Sequence, residues 1–237
     1  MLTVETLASS SRGNAHILRD QGRALLLDCG LTLSRIAGRV GARELDGVLL
    51  THEHQDHARA ARLLMMTGID VYASEGTFTA MGLDGDPAGH RARRVEARRQ
   101  FAAGPWTVLP FDAVHDAAEP LGFLIQAPGG AKALYLTDSA YCKHRFRGLT
   151  HILIECNYSE EALWAAAKEK AIAPAHYRRV ARNHMSLERL LRTLAANDLS
   201  AVEEIHLLHL SDQHSDEAGF KRQVQRLTGK PTYIAPA

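Results

Sequence analysis

Apolar positions in this chain fall into many short runs separated by polar turns, with a few longer stretches of helical spacing. Runs at 2–8, 15–19 and 23–28 predict three strands in an antiparallel opening. Two polar segments punctuate them, Ser9-Ser10-Ser11-Arg12-Gly13-Asn14 and Asp20-Gln21-Gly22. A strand over 45–50 runs into Thr51-His52-Glu53-His54-Gln55-Asp56-His57, and the alanine-rich stretch 58–66 then predicts a helix. Further strands are predicted at Val71–Ala73, 106–111, 123–126, 133–137, 152–155 and 202–208. The clearest helix is 187–196, where Leu187, Leu190, Leu191, Leu194 and Ala195 recur on one face; 160–170 and 216–227 also read as helices. The stretch 83–99, with Gly85, Pro87, Gly89 and the arginines Arg91, Arg93, Arg94, Arg98 and Arg99, predicts an exposed excursion. Strands and helices alternate along the whole chain without a linker, so the expectation is one layered α/β domain over 1–237.

Composition narrows the class. A chain of 237 residues, 46% of them hydrophobic, is large enough for one substantial core. No apolar run is long enough to cross a bilayer and the first residues do not resemble a signal peptide, so a soluble, cytoplasmic protein with no membrane association is expected. The three cysteines, Cys29, Cys142 and Cys156, are odd in number and lack C-x-x-C spacing, which points to reduced thiols and away from disulfides or a thiolate metal knuckle. A net charge of +1 gives no global attraction to polyanions, so any such binding must come from local patches. The position of the thirteen histidines is more informative than their number.

His52, His54, Asp56 and His57 place three imidazoles and a carboxylate within six residues, directly after an apolar strand. In an extended segment alternate side chains share a side, so His52 and His54 can grip one ion. A turn into the following helix would re-aim Asp56 and His57 toward a second. Two cations about 3.5–4 Å apart can share a bridging hydroxide and stabilise both attacking and leaving oxygens. The missing ligands are expected from His115, Asp138 and His209, each of which closes an apolar run, with Asp138 bridging and each histidine capping one ion. Asp28, at the end of another run, reads as a supporting carboxylate that orients the histidine loop. Two divalent ions, Zn²⁺ or Mn²⁺, suit this donor set. His16, His90, His144, His151 and His206 read as ordinary surface or core histidines, and Cys29 and Cys156 as small buried thiols.

His52-x-His54-x-Asp56-His57 resembles the signature of the metallo-β-lactamase superfamily. Asp28-Cys29-Gly30, Val114-His115-Asp116, Thr137-Asp138-Ser139 and His209-Leu210-Ser211 follow in the order that superfamily uses. The resemblance implies a four-layer αββα sandwich of two similar halves with the metals at one edge. Within it, the chain most resembles the small bacterial YycJ-type (WalJ-type) proteins, described as 5′-to-3′ DNA exonucleases, and their phage-borne relatives. The segments that carry this likeness are the Ser9 to Asn14 loop, His115-Asp116-Ala117-Ala118-Glu119-Pro120 and Glu155-Cys156-Asn157-Tyr158. Asn183-His184-Met185-Ser186 departs from the more usual Gly-His-Leu-Ser but keeps the histidine and the serine.

The resemblance implies a dinuclear-metal-dependent phosphodiester hydrolase, a nuclease acting on DNA ends, with no obligate protein partner. It argues against secreted β-lactamases, against the extra helical domain of glyoxalase II, and against the inserted module of the RNA-cleaving β-CASP branch. In the expected mechanism Asp56 orients the nucleophile, and His184 protonates the leaving oxygen or holds the phosphate. Ser186 serves beside His184 and as a helix N-cap, while Ser10, Ser11, Gly13 and Asn14 form an anion-binding turn. The arginines at 91–99 either track a nucleic-acid backbone or form a solvated charged excursion. The competing readings are a small-molecule or cyclic phosphodiesterase on the same metals, a thiolester or lactone hydrolase, and a non-catalytic metal-stabilised binding module.

Overall fold

Strand β1 (Thr3–Ser10) turns back into β2 (Gly13–Asp20), and β2 into β3 (Arg23–Leu27), the expected antiparallel opening. The first connection is shorter than the polar residues at 9–14 predict. Ser9 pairs with Asn14 and Ser10 with Gly13, which leaves only Ser11 and Arg12 in the turn. These polar residues enter the ladder because they bond one another, Asn14 Nδ2 donating to the Ser10 carbonyl at 3.0 Å. The turn expected to bind an anion through Ser10 to Asn14 thus has the form of a tight two-residue hairpin.

The computed structural model describes residues 1–83 and 86–237; Gly85 of the predicted excursion lies outside the described residues. Two compact units emerge, one of residues 1–112, 117–135 and 236–237, the other of 113–116 and 136–235.

In the first unit β4 (Leu45–Leu49), β5 (Val71–Ala73) and β6 (Ala92–Arg94) follow β3 in parallel, completing a six-stranded sheet in the order β1 to β6. Parallel neighbours need crossovers. Those around the sheet carry α1 (Leu33–Ala37), α2 (Gln55–Ala58), α3 (Ala61–Met66) and α4 (Glu75–Ala80). Ile36, Leu64, Met65 and Phe78 from the helices share one core with Leu26, Val48 and Val71 of the sheet. The single helix predicted over 58–66 is broken in two. The break frees the Ala60 amide to donate to the Cys29 carbonyl at 2.9 Å.

The predicted excursion is tied to the sheet instead: a 3₁₀ turn over Pro87–Arg91 leads into the edge strand β6, and Ala88 and Val95 are buried. Its arginines are paired. Arg91 and Arg93 meet Asp70 at 3.2 and 3.0 Å, Arg94 meets Glu75, Arg98 meets Asp112 at 2.9 Å and Arg99 meets Glu96 at 3.4 Å. Charge on a short edge strand is a common way to block edge-to-edge association, and it hides the strand from an apolar pattern.

An antiparallel meander β7 (Phe101–Ala103), β8 (Trp106–Asp112), β9 (Leu121–Gln126) and β10 (Lys132–Leu136) completes this unit. It packs on the first sheet through Tyr72 stacked on Phe101, ring centres 4.9 Å apart, and through buried Trp106, whose Nε1 donates to Asp46 at 2.9 Å.

The second unit holds the parallel strands β11 (His151–Glu155), β12 (Glu204–Leu208) and β13 (Thr232–Ile234). Its helices are α5 (Glu160–Lys168), α6 (Pro174–Asn183), α7 (Leu187–Ala195) and α8 (Glu217–Thr228). Helix α7 buries Leu187, Leu190 and Leu194 of the face its spacing predicts, while Leu191 is half-buried and Ala195 exposed. Helix α8 starts on the Asp216 cap and stops at Gly229, whose φ of 67° is the left-handed geometry that ends helices. Helix α6 escaped the pattern because its apolar face is short and shallow: Val180 is its one buried residue, with Tyr177 and Ala181 partly buried beside it against Tyr158 and Leu163.

Candidate active site

Three of the predicted site residues share a backbone feature. Asp28, Asp138 and His209 have φ of 56°, 45° and 52°, left-handed values that non-glycine residues rarely adopt. Each stands just past an apolar strand, and the reversal takes its side chain out of the strand's alternation. Such conformations cost about 1–3 kcal/mol each and persist where surrounding bonds enforce them.

In the first unit the enforcing group is the Asp28 carboxylate, which is fully buried. It accepts from Thr51 N at 2.8 Å, Thr51 Oγ1 at 3.0 Å, His57 Nδ1 at 2.7 Å and the Tyr135 hydroxyl at 2.6 Å. The bond to His57 keeps the proton on Nδ1 and leaves the Nε2 lone pair available as a ligand. Asn14 Nδ2 lies 3.1 Å from that Nε2, a donor that favours the same tautomer. Thr51 Oγ1 is 2.9 Å from His52 Nδ1, which turns His52 Nε2 toward His54 Nδ1 at 3.1 Å. Two nitrogen ligands of a tetrahedral zinc ion stand about 3.3 Å apart, so this spacing fits one cation. Helix α2 begins at Gln55 and rotates Asp56 and His57 away from the extended register of His52 and His54, as the motif predicts. Gly30 makes this packing possible: a Cβ there would sit 1.7 Å from the Asp56 carbonyl oxygen.

In the second unit His115, Asp138 and His209 come together. Asp138 Oδ2 is 3.6 Å from His115 Nε2 and Oδ1 is 3.3 Å from His209 Nδ1. His115 Nδ1 donates to the Asn183 carbonyl at 3.1 Å, which points Nε2 into the cluster. Burial holds the His115 pKa below the ordinary imidazole value, against the pull of Asp138, and so favours the neutral form that binds metal. Candidate ligand atoms of Asp138, Glu155, His184 and His209 lie within 4.8 Å of one another.

Glu155 is the functional residue that pattern reading missed. It is completely buried at the end of β11, and Oε2 accepts from Ser139 N and Met185 N, both at 2.9 Å. Oε1 accepts from His184 Nδ1 at 2.7 Å. With both oxygens so engaged, Glu155 acts as the orienting partner of His184. Burial disfavours charge on both groups, yet their mutual attraction and hydrogen bond hold His184 above its ordinary pKa and Glu155 below. The signal was available in the sequence: Glu155 closes an apolar run just as Asp28 and His209 do.

Ser186 has the N-cap role expected of it. Its buried Oγ accepts from Arg189 N at 3.2 Å as the N-cap of α7 and donates to Glu160 at 3.0 Å. Cys29 and Cys156 are buried, and burial pushes both thiols well above the ordinary range, as small core residues.

Donors of this kind, imidazoles with fixed tautomers around acidic oxygens, define a hard-to-borderline metal site. The family model described as the beta-lactamase superfamily domain matches residues 23–210, and the chain belongs to that family. It is 28% identical over 227 residues to exodeoxyribonuclease WalJ of Streptococcus pneumoniae, covering 88% of this chain and 81% of that protein. It is 29% identical over 180 residues to exodeoxyribonuclease YycJ of Bacillus anthracis, covering 68% and 65%. The crystal structure of the metallo-beta-lactamase fold protein YhfI from Bacillus subtilis superposes with a TM-score of 0.73 at 17% identity, over 98% of this chain and 95% of that one. The chain thus has the α/β sandwich fold of the metallo-β-lactamases and is a metal-dependent hydrolase. No helix among the described residues is long and apolar enough to cross a membrane.

Proposed function

We propose that the chain is a dinuclear-metal-dependent exonuclease that hydrolyses DNA from its ends. The likeness to two exodeoxyribonucleases, one of them aligned with 88% of the chain, carries the reading. In this proposal His52 and His54 would hold one ion and Asp56 and His57 the other, with His115, Asp138 and His209 as further ligands. Zn²⁺ or Mn²⁺ suits the donors. When bound, such ions acidify water and neutralise phosphoryl oxygens. The protein's own part is to fix tautomers and supply a proton. His184, with Nδ1 bonded to Glu155, presents Nε2 to a phosphate oxygen or to the leaving oxygen. Asp28 keeps His57 in its ligating form, and Asp56 also aligns the nucleophile.

The test is a substrate panel. Purified protein is incubated with Mn²⁺ or Zn²⁺ and 5′-phosphorylated duplex DNA, single strands, or a small aryl phosphodiester. Shortening of the DNA from its ends is expected. Cleavage of the aryl ester alone would replace the proposal with a small-molecule phosphodiesterase. No hydrolysis, together with less than one ion per chain at saturation, would leave a binding module. His184→Ala should abolish turnover and retain the metal.

A further inference from the structure

The second unit carries a groove of about 490 Å³ between the loop after Asp138 and one face of α7. We propose that this groove binds the sugar-phosphate backbone of a single nucleic-acid strand, with Tyr141 as the platform for a base. The inference rests on the nuclease reading and names how the substrate is held.

Charge is the first argument. Lys143, Arg145, Arg189 and Arg192 line the groove, and no carboxylate does. Glu160 reaches two of them from outside, at 3.9 Å from Arg189 and 3.7 Å from Arg192. Lys143 and Arg145 have no carboxylate within 4.0 Å among the described residues. In a chain of net charge +1, whose arginines at 91–99 are all paired with acids, this is a local surplus of cations. Positive charge without carboxylates attracts phosphate, and a row of such charges suits a polyanion.

The second argument is the aromatic. Tyr141 is 43% exposed, and Lys143 Nζ lies 5.6 Å from its ring centre. Strand-binding grooves combine cations along the backbone with aromatic faces on which bases stack, and stacking requires an unpaired base. A duplex does not offer one.

The third is rigidity and place. Ser139 Oγ accepts from Val114 N at 2.9 Å and donates to the Tyr141 carbonyl at 3.0 Å. Arg189 donates to the Ala140 carbonyl at 3.0 Å, and Phe146 N donates to Asn197 at 2.7 Å. The wall is thus pinned at both ends before any ligand arrives, which lowers the entropy lost on binding. It begins at Ser139, whose amide is bonded to Glu155 and which directly follows Asp138. The candidate ligands do not themselves line the groove; its wall is joined to them through this Ser139 link.

The experiment measures binding of a short fluorescein-labelled oligothymidylate by anisotropy, in EDTA, over a salt series. Each lost phosphate contact lowers the slope of log affinity against log salt by about 0.7, so a Lys143→Ala/Arg145→Ala double variant should lose about 1.4 and bind more weakly at low salt. Tyr141→Ala should weaken binding at least about fivefold with the slope kept, and Tyr141→Phe should restore it. Arg98→Ala, which removes a paired arginine, should change neither. Thermal unfolding within about 2 °C of wild type confirms that these exposed substitutions fold. Wild-type affinity and slope in the double variant would overturn the inference, as would wild-type protein that binds no oligonucleotide. Displacement by inorganic tripolyphosphate as effective as by unlabelled oligothymidylate would overturn it too, since it leaves no place for stacking. Cleavage of end-labelled DNA by wild type with Mn²⁺ is scored separately. Binding through these residues without cleavage removes the nuclease reading, and cleavage with binding unaltered in the variants removes only the groove.

Discussion

Asp28→Asn is the sharpest probe of how the first unit prepares its histidines. Asparagine has the same shape but one acceptor oxygen where the carboxylate has two. If that oxygen keeps the Thr51 amide and hydroxyl, now 2.8 and 3.0 Å from Oδ1, the new NH₂ faces His57 Nδ1 and the Tyr135 hydroxyl. The tyrosine hydroxyl can rotate and accept. His57 escapes a donor-donor clash by moving its proton to Nε2, the nitrogen it needs for a metal. One buried bond is then lost or inverted, at about 1–3 kcal/mol. At about 2–4 °C per kcal/mol for a chain of this size, the metal-free protein should melt roughly 2–12 °C lower. Loss of an orienting partner of this kind weakens metal binding by about 10–100-fold. Thermal unfolding in EDTA measures the first quantity, and competition against a chelating indicator measures the second. If Asp28→Asn melts lower but binds metal as tightly as wild type, the tautomer argument is wrong and Asp28 serves packing alone.

Other perturbations follow from the same geometry. Glu155→Ala leaves two backbone amides and His184 without their acceptor in a dry site, so a loss of about 3–5 kcal/mol is expected in denaturant unfolding, with Glu155→Gln milder. Gly30→Ala forces a methyl into the Asp56 carbonyl and should cost at least about 1–3 kcal/mol while lowering metal affinity, both read on the same samples. Ser186→Ala removes the α7 cap and should cost about 1 kcal/mol in thermal unfolding. Zn²⁺ or Mn²⁺ at about a hundred times its Kd should add about 2.7 kcal/mol, roughly 5–10 °C in Tm, and EDTA should reverse it; a Tm indifferent to both ions would contradict a structural fit to metal.

What the sequence by itself determined lies close together along the chain. His52 to His57 announce a metal site because a strand end and a helix start are both local, and their periodicities set which way each side chain points. Helix α7 was legible from its leucines, and His115, Asp138 and His209 from their place at the ends of apolar runs. Only the tertiary structure decided the rest. Glu155 closes an apolar run, which marks its position, but its role comes from partners 16, 29 and 30 residues away, and the run does not reveal that the charge is buried and bonded. The arginines at 91–99 leave open a backbone-tracking or a solvated segment until the fold brings Asp70, Glu75 and Asp112 against them, whereas Lys143 and Arg145 join two more arginines only across the groove that α7 forms. Charge and hydrogen bonding act through space over a few ångströms. A linear pattern captures them only where neighbours in space are also neighbours in the chain.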